Sequence, residues 1–253
     1  HSFMATASSY GNFLSSRAAA LKHSDGQTHD TARAFDDWAG HWSSHYSPNG
    51  AMAGRIVRFA DALAGLDDKQ GRVLDFGCGT GEITRALADQ GWHLTGCDLS
   101  PEMLLKARAA DPDAKVTWAP IDADLPTYLP FDRASFVAVY SSSVFEYLSD
   151  PSDVIRDIHR TLLPGGWLFF TAPDPRHSIR KKEVIKSFFA KLPLFWALIK
   201  RTRWQSEFRY LRISVNRSDV SDWHDMLMAE GFTVSSLDEC NDPLALIAAQ
   251  KTP

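Results

Sequence analysis

Cysteine is scarce in this 253-residue chain. Cys78, Cys97 and Cys240 lie far apart, too few for a disulfide framework or a four-ligand zinc site. No apolar run approaches the about 20 residues needed to cross a bilayer, and no secretory signal pattern opens the chain; His1-Ser2-Phe3-Met4 reads as a tag-derived scar ahead of a methionine. A reducing cytoplasm is the resulting expectation. No strong excess of one charge sign is present either, the formal net charge being -4. Together with the lack of a recognisable nucleic-acid module, this argues against nucleic acid as the partner. What is there is ordinary: 44% hydrophobic and 23% charged residues describe a globular protein able to bury a sizeable core, as one large domain or a domain with a lid.

The modest net charge hides an asymmetry. Residues 176–217 hold twelve Lys or Arg against two acids, Glu183 and Glu207. Between these charges runs an apolar, aromatic stretch that includes Phe188, Phe189, Leu194, Phe195, Trp196 and Leu198. Such a segment suits an acidic or amphipathic partner, or peripheral contact with an anionic membrane surface. The alternative is a helical cap whose apolar face completes a buried pocket while its charges only face water.

The informative stretch is Val73-Leu-Asp-Phe-Gly-Cys-Gly-Thr-Gly-Glu82. An apolar run ends in Asp75, glycines follow at 77, 79 and 81, and a helical pattern starts at once, which predicts a strand, a tight turn and a helix N-terminus. Glycine lets main chain approach a ligand closely. A dinucleotide-binding turn would carry its third glycine at position 82, where the chain has Glu82, so the spacing argues against NAD. A second predicted strand, 93–97, ends in Asp98, about twenty residues on, where a carboxylate can accept hydrogen bonds from ribose hydroxyls. Ser100 and Pro101 then read as the cap and first residue of a helix.

These residues resemble motif I of the class I S-adenosylmethionine-dependent methyltransferases, Asp-x-Gly-x-Gly-x-Gly, matched by Asp75, Gly77, Gly79 and Gly81. Two further stretches extend the resemblance to the ubiquinone-biosynthesis type of small-molecule O-methyltransferase: Ser141 to Leu148, with Tyr147 where that type commonly has His, and the Leu162-Leu-Pro-Gly-Gly166 turn. The resemblance implies a Rossmann-like, doubly wound α/β fold. Its seven-stranded sheet is mostly parallel with a reversed last strand, preceded by N-terminal helices and carrying a helical lid inserted after strand five. It implies S-adenosylmethionine as cofactor, held by Tyr46 from a covering helix, Asp75, Gly77, Cys78, Gly79, Gly81, Asp98, Leu99, Met103, Asp122, Ala123 and Ser141. The expected organisation is a poorly ordered or loosely docked segment 1–30, cofactor-covering helices 31–66, a core of 67–175 with 218–253, and a lid of 176–217.

Asp174, at the end of the fifth strand, and His177 face the ligand crevice of such a sheet. With His45 they are the candidates for a general base. His41 and His45 share a helical face, yet no carboxylate or cysteine completes a ligand set, so no metal is expected. The predicted activity is O-methylation of an acidic or amphipathic, conceivably lipid-linked, small molecule by a monomer or homodimer. The alternatives are N-methylation of an amine or phospholipid head group, and a non-catalytic binding module on the same fold.

Overall fold

The computed structural model describes residues 26–237 and 243–253. The expectation for residues 1–30 therefore lies outside them as far as residue 25, as does Cys240. Residues 27–30 form the first turn of helix α1, Gln27–Trp42.

A short 3-10 turn, Ser43–Tyr46, and helix α2, Gly54–Ala64, lead into the sheet. The alternation that follows is β1 Arg72–Phe76, α3 Glu82–Asp89, β2 His93–Asp98, α4 Pro101–Ala109, β3 Thr117–Pro120, β4 Phe136–Ser142, α5 Pro151–Thr161 and β5 Leu162–Pro173. Three helices come next: α6 Ser178–Ala190, α7 Pro193–Ile199 and α8 Gln205–Ile213. Helix α9, Val220–Ala229, and strands β6 Phe232–Leu237 and β7 Leu244–Lys251 close the chain. The seven strands run in the order β3-β2-β1-β4-β5-β7-β6. Strands β1 to β5 pair in parallel and β7 pairs antiparallel to both neighbours, as expected of the reversed strand.

Both faces of the sheet are covered, which is why its central strands read as unbroken apolar runs. Successive residues part to opposite sides. Val73, Ala138 and Phe169 pack with Phe59 and Leu63 of α2 and Ile83 and Leu87 of α3. Their neighbours Leu74, Val139 and Phe170 pack with Ile155 and Ile158 of α5 and Trp223 and Leu227 of α9. Strand β5 starts earlier than the sequence suggests. Phe136 pairs with Leu162 and Ala138 with Trp167, so Leu163 to Gly166 bulge within the strand instead of forming a separate turn.

Capping explains two helix starts. Ser100 Oγ accepts the Met103 N–H at 3.1 Å with Pro101 in the first turn, and Asp219 and Asp222 form a reciprocal capping box at α9. Helix α1 is tied across the carboxyl edge of the sheet from two sides, through adjacent residues in its interior. Ser100 Oγ donates to Asp36 at 2.5 Å, and Arg209 of α8 pairs with Asp37 at 2.5 Å. Helix α1 is thereby fixed over the crevice.

No helix among the described residues is long and apolar enough to cross a membrane. Helices α6 and α7 nevertheless present an uncovered apolar face. Leu194 is 84% exposed, Leu198 74% and Phe188 66%, among Lys186, Lys191 and Lys200. This part of the segment's apolar surface therefore faces outward, while Ala190 and Leu211 of the same segment are buried.

Candidate active site

The turn after β1 is shaped by hydrogen bonds to the neighbouring strand. Gly77 and Cys78 N–H both donate to Cys97 C=O, at 2.8 and 3.0 Å. Gly79 N–H donates to Asp98 Oδ2 at 2.8 Å, and Ser100 N–H to Asp98 Oδ1 at 2.8 Å. Gly77, Gly79 and Gly81 all adopt positive φ. The turn thus lays bare main chain over a cavity of about 500 Å³.

That cavity brings together Tyr46, Asp75, Gly77, Cys78, Gly79, Asp98, Leu99 and Met103 of the expected cofactor residues. Four others lie off it. Gly81 caps α3, where a Cβ would sit 2.4 Å from the Trp118 ring. Ser141 is buried and donates its hydroxyl to Phe76 C=O at 2.8 Å. Asp122 is exposed, its Oδ1 accepting the Asp124 N–H at 2.9 Å, and Ala123 stands beside it. At that end the cavity is walled by Ile121, Pro126 and Thr127 instead, so the loop turns its carboxylate towards water and its apolar atoms inward.

The electrostatics are one-sided. Asp75 is buried and takes the Thr84 hydroxyl at 2.6 Å and the Tyr140 hydroxyl at 2.8 Å on the same oxygen. Burial pushes its pKa up to about 7 against those two hydrogen bonds. Burial likewise raises Asp98 to about 6, opposed by the Ser100 and Gly79 amides. No Lys, Arg or His forms an ion pair with either carboxylate among the described residues, so the charge they carry when ionised calls for a cationic ligand.

A second cavity, of about 480 Å³, lies against the first and shares Trp42, Ser143 and Tyr147 with it. Arg55 from α2, Arg180 from α6, Ser206 and Tyr210 from α8, and Glu146, just beyond β4, complete it with Trp38, His41, His45 and Met52. Glu146 is the buried hub. It accepts the Tyr210 hydroxyl at 2.8 Å and the Ser214 hydroxyl at 3.1 Å. Arg180 in turn donates to Tyr210 at 2.9 Å and to Glu183 at 3.0 Å. Burial raises the Glu146 pKa, with Tyr210 and Arg180 pulling the other way. Ser143, on the shared wall, holds a left-handed φ of 55° and has a buried hydroxyl with no hydrogen-bond partner. A strained backbone beside an unspent polar group is common where a ligand binds.

Of the three base candidates only His45 reaches a cavity, lining the second. Asp174 lines neither; Arg176 holds it in an ion pair at 2.8 Å that lowers its pKa. His177 Nδ1 accepts the Ile179 N–H at 3.3 Å as the cap of α6. Both hold the strand-to-helix turn. Among the described residues no cluster of His, Cys, Asp and Glu is suited to a metal ion. Arg55, Arg180 and Tyr210 carry no motif, while Ser143 and Glu146 lie in the stretch from Ser141 to Leu148 that resembles the family, a resemblance that implies no role for these two.

Residues 74–170 match the methyltransferase domain family. They form a class I methyltransferase domain. Curated relatives of the domain include a malonyl-[acyl-carrier protein] O-methyltransferase of Enterobacter lignolyticus, 35% identical over 55% of this chain and 52% of its own. A ubiquinone biosynthesis O-methyltransferase of Paracidovorax citrulli is 32% identical over 54% of this chain and 58% of its own. The chain thus spans little more than half the length of these relatives.

Two solved structures share the methyltransferase fold. An S-adenosylmethionine-dependent methyltransferase of Mesorhizobium loti superposes with a TM-score of 0.56 at 24% identity, over 77% of this chain and 97% of its own. Phosphoethanolamine N-methyltransferase 2 of Haemonchus contortus, in complex with S-adenosyl-L-methionine, gives 0.62 at 18%, over 86% and 57%. S-adenosylmethionine is the cofactor of this methyltransferase class, and the donor chemistry of the first cavity fits it. Its ammonium charge matches the buried Asp75 carboxylate, which forms no ion pair among the described residues, its ribose hydroxyls match the acceptor oxygens of Asp98, and its polar tail matches the exposed main chain of the glycine turn.

Proposed function

We propose that the protein transfers a methyl group from S-adenosylmethionine in the first cavity to an oxygen of an acidic or amphipathic small molecule in the second. One observation carries this reading: the two cavities adjoin at Trp42, Ser143 and Tyr147, so the methyl group of a donor in one and the oxygen of an acceptor in the other can be brought into contact at that junction. Bound S-adenosylmethionine supplies a sulfonium methyl that passes to the acceptor oxygen while the carbon–sulfur electron pair stays on sulfur, leaving S-adenosylhomocysteine. The chain's part is to hold and align the two. Asp98 would take the ribose hydroxyls, the Gly77–Gly79 main chain would lie along the amino-acid tail, Asp75 would face the ammonium, and Leu99 and Met103 would flank the base. Tyr46, whose pKa burial raises to about 12, stays a neutral phenol and closes the cavity with Trp42.

A carboxylate or ionised phenol needs no base. A neutral phenol must release its proton, and His45 is the histidine of the three base candidates that lines the acceptor cavity. An amine acceptor is disfavoured by the guanidinium groups of Arg55 and Arg180 in the same wall. A purely binding role would leave the second cavity without a purpose. Calorimetric titration with S-adenosylhomocysteine is expected to show one site per chain; no binding would remove the basis of the proposal.

The uncovered apolar face of α6 and α7, ringed by lysines, supports delivery of an amphipathic acceptor from an anionic membrane surface. The protein is expected to sediment with phosphatidylglycerol vesicles and not with phosphatidylcholine vesicles. Added salt or the pair Leu194→Ser and Leu198→Ser should weaken that binding. Equal partition onto both vesicle types would sink the idea.

A further inference from the structure

The charges around the second cavity do not balance. Arg180 and Arg217 lie against Glu183 and Glu146. Arg180 donates to Glu183 at 3.0 Å, Arg217 donates to the same carboxylate at 2.9 Å, and both guanidinium groups act on Glu146. Two cations thus meet two anions. Arg55 stands outside this set. Its hydrogen-bonding neighbours are neutral, the Ser142 hydroxyl at 3.3 Å and the Tyr46 phenol, and among the described residues it forms no ion pair. A half-buried guanidinium lining a cavity without a counter-ion is an anion site.

The rest of the lining narrows the anion's carrier. Trp38, Trp42, Tyr147 and Tyr210 surround the space, and Phe35 meets the Tyr147 ring edge-on at 5.1 Å behind them. Rings held this way present fixed faces and edges to a flat guest at little entropic cost. Ser143, whose hydroxyl is buried without a partner, lies on the wall shared with the donor cavity, so a guest's reacting oxygen placed beside it faces the donor.

We infer that the second cavity takes an aromatic acid, its carboxylate held by Arg55, its ring among Trp38, Trp42, Tyr147 and Tyr210, and its reacting oxygen turned to Ser143. This rests on the two-cavity reading above and adds the acceptor's class and anchor. Arg55 thereby selects for the acid over the neutral analogue, because a phenol without the carboxylate leaves the guanidinium desolvated and unpaired.

The test uses matched probes: benzoate with benzyl alcohol, 3,4-dihydroxybenzoate with catechol, and 2-naphthoate with 2-naphthol. Each is titrated by quenching of tryptophan fluorescence, with and without saturating S-adenosylhomocysteine. At least one acid should bind about tenfold more tightly than its neutral partner, the order of one charge-assisted hydrogen bond. Arg55→Gln should erase that preference and Arg55→Lys retain part of it. Equal binding within every pair, no binding of any acid, or a preference that survives Arg55→Gln overturns the inference. If the protein ignores S-adenosylhomocysteine yet prefers the acids through Arg55, methyl transfer falls and the anion site stands.

Discussion

Asp75→Asn is expected to make the protein more stable at pH 8 and a poorer binder of S-adenosylhomocysteine. Asp75 is 2% exposed, and burial raises its pKa to about 7, against about 4 in an unfolded chain. Between those values the folded state holds a proton that the unfolded state has released, so stability falls as pH rises through this window and stays low above it. Each tenfold difference in proton affinity is worth about 1.4 kcal/mol, which puts the cost near pH 8 at about 2–4 kcal/mol. An amide avoids that cost and still accepts from the Thr84 and Tyr140 hydroxyls. The variant should therefore melt about 5–10 °C higher at pH 8 and converge with the wild type near pH 4. Without the carboxylate charge, the ligand's ammonium loses its partner and affinity should fall at least about tenfold. Melting curves across pH, beside calorimetric titration, check both halves. A variant that is less stable at pH 8, or that binds as well as the wild type, would contradict the view of an uncompensated charge awaiting a cation.

Gly77→Ala should be damaging in both respects. The residue has φ +77°, and an added Cβ would lie 2.2 Å from Val144 Cγ2. The left-handed backbone alone costs an alanine roughly 1–2 kcal/mol, and relieving the overlap means moving either the glycine turn or the segment just after Ser143. Those two segments border the donor cavity. A loss of about 3 kcal/mol in urea unfolding is expected, with S-adenosylhomocysteine binding weakened at least about a hundredfold. A variant with normal affinity would show that the turn's placement matters little to the cavity.

The donor half of the site was legible because its residues are neighbours in sequence. Asp75 and the glycines form one strand and turn, and Asp98 ends the next strand, so local spacing alone placed them on one edge. Asp122 shows the limit. The sequence set an acid after β3, but a loop can turn its carboxylate either way, and this one faces water. Asp174 and His177 lie off both cavities for a related reason: a strand end near the crevice also needs a turn and a helix cap, and Arg176 claims the carboxylate. The acceptor half escaped notice because it is assembled across the chain, with Arg55 on α2, Glu146 after β4 and Tyr210 on α8. Pattern reading did find the insert and its basic, apolar character. It left the question of which side faces water to three-dimensional packing, and the apolar side of α6 and α7 proved to face outward.

Glu146 has a bearing on how such a protein can diversify. The methyltransferase family match ends at residue 170, while Arg180, Tyr210 and Ser214 all come later and converge on this one carboxylate. The wall of the second cavity is thus built largely by a later stretch of chain, anchored at Glu146 and, through the Arg209–Asp37 pair, to helix α1. Changes in those helices can reshape that wall while the glycine turn and Asp98 on the other side of the crevice stay in place.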